Sequence, residues 1–226
     1  MDYAIISEPT NLDIAIGHKG TARYKITTHG TAGHAAVVQK PDNAIEKMNQ
    51  VLSKLFEYSK SIHDLKSHNF LGDATSNVTY INGGTSENII PDNCMILIDR
   101  RTLPYETNQS VISEYTKIIN NAINENEYNI ENKTFVPSFL INKDHHLVKK
   151  MKQVTNKIEH KVKIKKFEAT CEAPFFAIDK NIPTIIYGPG SLKEAHTSNE
   201  KVDKSQIIIA SKNFISICFS LLESGG

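Results

Sequence analysis

The stretch Thr-Ala-Arg-Tyr-Lys-Ile-Thr-Thr at residues 21–28 alternates apolar and polar side chains, with Ala22, Tyr24 and Ile26 on one face. This period of two is typical of a strand with one buried face. Two amphipathic helices and three further strands follow it. Their predicted ranges are Asn43–Ile62 (helix), Thr75–Ile81 and Cys94–Ile98 (strands), Thr107–Asn124 (helix) and Tyr128–Phe135 (strand). The predicted order from residue 21 to residue 135 is therefore β-α-β-β-α-β.

This order is that of a ferredoxin-like sandwich, in which two helices cover one face of a sheet. We expect it to form a domain at residues 18–136. The flanking residues, 1–17 and 137–226, alternate shorter strands with helices and include a helix predicted at Lys204–Leu222. Such alternation is typical of an α/β domain. The sequence thus predicts the α/β class, with a ferredoxin-like domain inserted into a partial α/β domain.

Charge and composition exclude several classes of protein. The 26 Lys and Arg against 25 Asp and Glu give a net charge of +1, which provides no basic field for nucleic acid or an anionic membrane. No uninterrupted apolar run approaches the roughly 20 residues of a spanning helix, so we expect no membrane contact. The N-terminus has no signal-peptide pattern. Three cysteines without Cys-x-x-Cys spacing favour a reducing compartment, and we expect a cytoplasmic protein.

Two segments at strand ends are candidates for chemistry. Glu8 ends a predicted strand and precedes the rigid Pro9, and ligands of open α/β sheets collect at the carboxyl ends of strands. His196 lies in a polar loop after a strand and after residues 188–190, Gly-Pro-Gly, and a neutral imidazole can bind zinc. Taken singly, each residue is more often an ordinary surface group. The Gly-Pro-Gly segment is equally consistent with a tight turn.

Five segments in one order extend over nearly the whole chain. They are Ile-Ile-Ser-Glu-Pro-Thr (5–10) with Gly-His-Lys-Gly (17–20); Thr-Ala-Gly-His-Ala (31–35) with Asn-Ala-Ile (43–45); Gly-Gly (83–84) with Asn-Ile-Ile-Pro (88–91) and Asp-Arg-Arg-Thr-Leu-Pro (99–104); Tyr-Gly-Pro-Gly (187–190); and Ala-His-Thr-Ser-Asn-Glu (195–200). Together they resemble the zinc- or cobalt-dependent amidohydrolases that include acetylornithine deacetylase, succinyl-diaminopimelate desuccinylase, aminoacylase and carboxypeptidase G. In that family a ferredoxin-like lid is inserted into a catalytic α/β domain.

The resemblance implies roles for seven residues. Glu8 and His196 would be ligands to different metals of a two-metal centre, which activates a water for attack on an amide carbonyl. His34 would stabilise the tetrahedral oxyanion in the partner subunit of a lid-mediated homodimer. The substrate-binding positions would be Asn88, Arg101, Gly188 and Gly190. Arg101 is also consistent with a surface salt bridge.

The resemblance is incomplete. The family's His-x-Asp pair, bridging Asp and Glu-Glu pair with the general base have no counterpart, and Glu172 stands where the family commonly has Asp. We therefore expect the C-terminal part of such an enzyme, with the N-terminal half absent and the isolated chain inactive. Strands Tyr3–Ser7 and Pro183–Tyr187 should then be exposed or re-paired.

Two functional hypotheses follow, beside an unrelated α/β protein with chance motifs. The favoured one is part of a hydrolase that cleaves N-acyl-amino acids or small peptides, such as a deacetylase or desuccinylase, with zinc or cobalt. The alternative is a non-catalytic dimerisation or binding module derived from such an enzyme. The acyl group and the amino acid released stay open.

Overall fold

The computed structural model describes residues 2–157 and 162–222. Its contacts divide the chain into two units: the inserted unit, Gly20–Pro137, and the terminal unit, which consists of the residues up to Lys19 and those from Ser138 onward. The strands of the described residues are β1 (Ala4–Ile6), β2 (Ile14–His18), β3 (Gly20–His29), β4 (Gly33–His34), β5 (Thr75–Gly83), β6 (Ile89–Ile90), β7 (Asn93–Thr102), β8 (Tyr128–Val136), β9 (Phe139–Leu140), β10 (Ile164–Phe167) and β11 (Thr184–Ile186). The helices are α1 (Ala44–Leu65), α2 (Asn108–Asn120), α3 (His146–Thr155), α4 (Ala173–Ala177) and α5 (Lys204–Leu222).

The sheet of the inserted unit has four antiparallel strands in the order β5-β7-β3-β8. The chain order β3-α1-β5-β7-α2-β8 confirms the predicted β-α-β-β-α-β succession. Central strand β3 buries Ala22, Tyr24 and Ile26 completely, because alternate side chains of a strand point to the same face. Strands β4 and β6 form a separate two-stranded ribbon in this unit.

Both helices of the inserted unit begin at side-chain caps. The Asn43 side chain accepts a hydrogen bond from the Ile45 N–H at 2.9 Å, and Thr107 forms a capping box with Ser110. Each cap satisfies a backbone donor that has no partner within its helix. The buried residues of α1 are Ala44, Met48, Val51, Leu55, Tyr58 and Ile62, and those of α2 are Val111, Tyr115 and Ile119. Their spacing of three and four residues forms one apolar stripe on each helix.

A buried ion cluster lies among the apolar residues of the inserted unit. Arg100 on β7 is fully buried and pairs with the carboxylate of Glu106, which also accepts a hydrogen bond from the Lys66 ammonium at 2.9 Å. The Lys66 ammonium also contacts Glu114 at 2.9 Å. Burial by itself would lower the pKa of Lys66, but its hydrogen bonds to the two carboxylates outweigh burial and raise the pKa. The raised pKa favours the charged form of Lys66, which pairs with both carboxylates.

The terminal unit is built on a mixed sheet in the order β1-β11-β2-β10, with β9 also paired to β2. Strand β1 runs parallel to β11, and β10 runs parallel to β2, whereas β2 is antiparallel to β11 and β9. The completely buried strand β11 lies between β1 and β2. Every one of these pairings except β2 with β9 joins an element before the inserted unit to one well beyond it.

The strands Tyr3–Ser7 and Pro183–Tyr187 were expected to be exposed or re-paired with another chain. They pair with each other instead, as β1 and β11, and only Ser7 of the first strand is exposed. Thr184, Ile185, Ile186 and Tyr187 are all buried, because β11 is paired on both edges and contacted by α3 and α4. Exposed apolar surface is found on α5 instead. That helix buries only Ala210, Asn213 and Ile217, and its exposed apolar residues are Ile207, Ile208, Ile215, Phe219 and Leu222.

Helix α5 also changes the expectation about membrane-spanning segments. Lys204–Leu222 has a mean hydropathy of 1.4 and is long and apolar enough to cross a membrane, by length and composition. It is the one helix of the described residues that meets this test. A core helix of a soluble protein passes the same test, so this single helix is weak evidence for a membrane.

Several element ends differ from the sequence-based expectations. The apolar residues of Leu12–Ile16 predict a strand that starts at Leu12, but β2 begins at Ile14, because Asn11 and Leu12 have φ values of 55° and 64° and form a turn. Left-handed backbone cannot continue a strand. The sequence predicts a helix at His146–Ile158 and a strand at Lys161–Phe167. Helix α3 ends at Thr155 and strand β10 begins at Ile164, while Ile158 and Lys161 lie outside the described residues.

The buried cluster generates a prediction about stability. Arg100→Met leaves the buried Glu106 carboxylate without its guanidinium partner and should lower the free energy of unfolding by about 3–5 kcal/mol. Adding Glu106→Gln should restore part of the loss, because a neutral amide oxygen can still accept the 2.8 Å hydrogen bond from the Leu103 N–H. Urea denaturation measures both variants. The control Arg101→Met, at a partly exposed neighbour, should cost less than about 1 kcal/mol. Equal losses in Arg100→Met and the double variant would contradict the account.

Candidate functional site

Glu8 follows strand β1 in a loop that touches the segment after β11. A Cβ atom at Gly188 would lie 2.6 Å from the Glu8 carbonyl oxygen, closer than real contacts allow. Only glycine therefore permits the two backbones to approach this closely. The structure thus brings together Glu8 and the Gly188-Pro189-Gly190 segment, which the sequence separates widely.

Thr10 holds this contact in place. The Gly188 N–H donates to the Thr10 hydroxyl at 3.1 Å, and that hydroxyl donates back to the Gly188 carbonyl at 3.2 Å. Gly190 has a φ of +83°, and its N–H donates to the Gln206 side chain at 2.8 Å. Both glycine N–H groups already have protein acceptors. A substrate carboxylate would therefore have to replace Thr10 or Gln206 in order to use them.

The Glu8 carboxyl is part of a charged group of three residues. Partial burial raises its pKa above the ordinary value, the nearby Glu172 carboxylate raises it further, and His196 opposes both effects. Glu172 was singled out in the sequence only because the family commonly has Asp at that position. The structure shows that it lies within electrostatic reach of Glu8.

Cys171 and His18 support the loop that carries Glu172. Burial, followed by the Glu8 and Glu172 carboxylates, raises the pKa of Cys171 to about 12, so its thiol stays neutral. The Cys171 N–H donates to Nε2 of His18 at 3.4 Å, and Nδ1 of His18 lies 2.9 Å from the Lys19 carbonyl. Burial lowers the pKa of His18, which agrees with a neutral ring that donates at Nδ1 and accepts at Nε2. His18 therefore has a structural role, because its ring links the Lys19 carbonyl to the Cys171 N–H.

His196 lies in the exposed loop before α5. Its backbone has a φ of 60°, and its N–H donates to the Glu200 carboxylate at 2.8 Å. The Thr197 hydroxyl donates to the Glu194 carbonyl at 2.8 Å in the same loop. These local bonds hold a left-handed conformation that a non-glycine residue rarely adopts. The loop thus presents the imidazole at the surface of the terminal unit.

His34 and Asn88 lie together in the inserted unit. The β4–β6 ribbon places His34 opposite Ile89, and the Ala35 N–H donates to the Asn88 carbonyl at 3.0 Å. Both candidate residues are exposed. Nδ1 of His34 accepts the Ala36 N–H at 3.2 Å, so Nε2 is the ring nitrogen that stays available to a ligand.

Arg101 lies far from that pair within the same unit. It is opposite Thr21 on β3, and its guanidinium donates to the Thr21 hydroxyl at 2.7 Å and to Asp99 at 2.9 Å. Strand β6 of the ribbon ends at Ile90, and β7 begins at Asn93, eight positions before Arg101. Eight residues of strand extend about 27 Å. The structure therefore does not bring Arg101 together with His34 and Asn88.

The described residues do not provide a complete metal site. Within residues 2–157 and 162–222, no group of three or more His, Cys, Asp or Glu side chains is placed to hold a metal ion. Glu8, Glu172 and His196 interact electrostatically, but they do not converge as a full ligand set. A catalytic zinc site normally has three protein ligands.

Sequence comparison identifies the family. The peptidase dimerisation domain of the M20 family matches residues 16–127. The inserted unit is an M20 peptidase dimerisation domain. An acetylornithine deacetylase of Buchnera aphidicola is 30% identical over 210 residues, covering 91% of this chain and 54% of that protein. An uncharacterised metallohydrolase of Methanocaldococcus jannaschii is 32% identical over 200 residues, covering 87% of this chain and 53% of that protein.

Solved structures show the same fold. The aminopeptidase PepT of Bacillus cereus has a TM-score of 0.79 at 21% identity, covering 96% of this chain and 56% of that one. The YxeP protein of Bacillus subtilis, a dinuclear metal-binding M20 peptidase, has a TM-score of 0.68 at 17% identity, covering 98% of this chain and 57% of that one. The chain spans about half the length of the relatives it matches.

The electrostatic group predicts two pKa changes of opposite sign. Glu172→Gln removes a like charge and should lower the pKa of Glu8, whereas His196→Ala removes a favourable neighbour and should raise it. Carboxyl-detected NMR titration measures both. A raised carboxyl pKa means that the folded state binds the proton more tightly than the unfolded state. Stability therefore falls as the pH rises from the ordinary Glu pKa to the raised pKa of Glu8. Glu172→Gln should make this pH-dependent loss of stability smaller. Glu57→Gln, on the exposed face of α1, is the control, and a shift there as large as in the site variants would contradict the assignment.

Proposed function

We propose that this chain is the lid and the C-terminal part of the catalytic domain of a metal-dependent amide hydrolase acting on N-acyl-amino acids or small peptides. The observation that carries the proposal is the similarity to an acetylornithine deacetylase along 91% of the chain. The lid corresponds to the inserted unit and the catalytic portion to the terminal unit. The free thiols of Cys94, Cys171 and Cys218 support a reducing compartment, which we take to be the cytoplasm.

In this proposal, Glu8 and His196 become metal ligands only when another polypeptide segment supplies the remaining ligands and the general base. A zinc or cobalt pair would then polarise the amide carbonyl and activate a water. The raised pKa of Glu8 supports this role, because a cation nearby would stabilise the carboxylate that burial and Glu172 disfavour.

Dimerisation would use strand β5. Strands β5 and β8 are the two edges of the sheet in the inserted unit. The sequence of β5, Thr75–Gly83, has no charged residue, and Tyr80 and Ile81 are 47% and 53% exposed. Strand β8, by contrast, carries Glu131 and Lys133, which protect an edge from pairing. We therefore propose a two-fold pairing of β5 with its copy in the partner subunit.

The separation of the candidate lid residues supports a proposal about which active site each of them serves. Asn93, which follows the ribbon of His34 and Asn88 closely in sequence, lies about 27 Å along β7 from Arg101, a span too long for a small N-acyl-amino acid to bridge. We propose that His34 and Asn88 act on the substrate bound by the partner subunit, and that Arg101 acts in its own subunit. The planar guanidinium of Arg101 would pair with a substrate carboxylate in place of Asp99 and Thr21.

A second candidate function is a dimerisation or binding module without catalysis. The observation that favours it is the lack of a complete metal-ligand group among the described residues. The two candidates differ in one measurable property. A module would stay inactive in the presence of the N-terminal half of an M20 enzyme, whereas a hydrolase fragment would gain activity.

The edge pairing predicts the oligomeric state of variants. Ile81→Lys adds a charge to the exposed edge of β5 and should convert the dimer to a 25.3 kDa monomer. Sedimentation equilibrium over a series of protein concentrations measures this change, because dimerisation depends on concentration. Asn129→Lys adds the same charge to β8 and should leave the dimer intact. A wild-type monomer, or dissociation of both variants alike, would count against pairing through β5.

The isolated chain should be catalytically silent. With zinc or cobalt, it should not hydrolyse N-acetyl-amino acids, N-succinyl-amino acids or dipeptides above background. The absent general base alone should cost about 10²–10⁴ in rate. Addition of a separately expressed N-terminal half from a full-length relative should restore turnover, and His196→Ala should abolish it. Turnover by the chain alone that disappears in His196→Ala would refute the prediction.

A further inference from the structure

A cavity of about 540 Å³ lies within the terminal unit, beside the candidate metal ligands but not lined by them. Its walls come from Pro9 and Asn11, from Lys165–Glu168 on and after β10, and from Ser191–Lys193 after β11. None of Glu8, Gly188, Gly190 and His196 contributes to the lining. The volume falls in the range of small-molecule sites, which is about 300–1,000 Å³.

Backbone contacts hold the cavity walls in place. The Asn11 N–H donates to the Gly190 carbonyl at 2.7 Å, and Thr10 forms a β-bridge with Ser191. Asn11 and Gly190 both have a positive φ, so the chain turns at each of these residues. The walls are therefore formed before any ligand arrives, and a preformed site loses little entropy on binding.

The cavity combines an apolar interior with a positive rim. Phe167 is buried and packs in the same cluster as Leu192, and both face the cavity. The lining includes three lysines, Lys165, Lys166 and Lys193, against a single carboxylate, Glu168. An anion with an apolar body matches this combination, because the ammonium groups attract its charge while the interior takes its chain.

Two of the lysines are held near the cavity by carboxylates. The Lys165 ammonium lies 3.2 Å from Asp13 and donates to the Thr10 carbonyl at 2.8 Å. The Lys166 ammonium lies 3.6 Å from Glu168. Lys193 is exposed at the mouth, where it can approach a ligand without breaking an internal ion pair that the structure contains.

We propose that this cavity is a binding site for a small aliphatic carboxylate. The carboxylate contacts the ammonium groups of Lys193 and Lys166, and the aliphatic chain packs against Phe167 and Leu192. The proposal goes beyond the proposed hydrolase function and does not depend on it. A chain that hydrolyses nothing would still bind the ligand.

The experiment titrates the purified chain with sodium hexanoate, followed by amide NMR shifts. We expect saturable shifts at Leu192 and Lys193 with a dissociation constant on the order of 1 mM, which is ordinary for so small a ligand. Hexylammonium, with the same chain and the opposite charge, should bind at least about tenfold more weakly. Acetate, which lacks the chain, should also bind more weakly. Equal binding of hexylammonium, or no saturable binding of hexanoate, overturns the proposal.

Two variants and a matched control localise the binding. Lys193→Glu reverses the charge at the mouth, and Leu192→Asp places a carboxylate on the apolar wall, so each should weaken hexanoate binding about tenfold or more. Lys180→Glu makes the same charge change at an exposed position outside the cavity and should leave binding unchanged. Lys193 is exposed, so its variant should keep the wild-type melting curve even where Leu192→Asp does not. Equal weakening by Lys193→Glu and Lys180→Glu would show nonspecific charge binding and overturn the site.

A last comparison separates carboxylate from phosphate recognition. Butyl phosphate carries a short chain and a larger anionic group. We expect it to bind more weakly than hexanoate, because a bulkier and more strongly hydrated head group is costlier to bring against the apolar wall. Tighter binding of butyl phosphate that is lost in Lys193→Glu would overturn the assignment to carboxylates.

Discussion

The terminal unit depends on pairing between two segments of chain, one before the inserted unit in sequence and one after it. Strand β1 pairs with β11, and β2 pairs with β10 and β11, so most of the sheet is made of contacts between residues far apart in sequence. The hydroxyl of Thr10 adds two hydrogen bonds to Gly188, 178 positions away. The entropic cost of closing a loop grows only with the logarithm of its length, so a compact inserted unit can be accommodated. The buried strand β11 then stabilises the closed sheet.

The same pairing between distant segments brings the residues of the candidate site together. Because β1 and β11 are parallel neighbours, their carboxyl ends bring Glu8 beside the glycine segment, and the following loop carries His196. The loop with Glu172 is fixed from another direction, through the neutral His18 ring. The outcome is a carboxyl whose charge is disfavoured by burial and by a second carboxylate. The pKa of Glu8 therefore lies above that of an ordinary exposed carboxyl.

The inserted unit differs from the terminal unit, because the strands that pair in its sheet all belong to the unit itself. A buried guanidinium at Arg100 joins β7 to the carboxylate of Glu106 and, through Lys66, to the end of α1. A buried ion pair of this kind adds little net stability, yet loss of one partner is costly. Because β5 is an edge strand of this sheet and carries no charged residue, its free edge is available to a second subunit. The sheet also keeps Arg101, opposite Thr21 on β3, apart from the ribbon that carries His34.

The sequence by itself determined the periodic elements: the alternation of Ala22, Tyr24 and Ile26 and the stripes of α1 and α2 gave the β-α-β-β-α-β order. Such patterns are local, so one segment is enough to establish them. The motif order also pointed to the M20 family and to Glu8 and His196. Only the tertiary structure decided that Glu172 lies beside Glu8, that Thr10 occupies the Gly188 N–H, and that β11 is buried. These features arise from contacts between distant segments, and nothing in a single segment specifies which distant side chain will approach it.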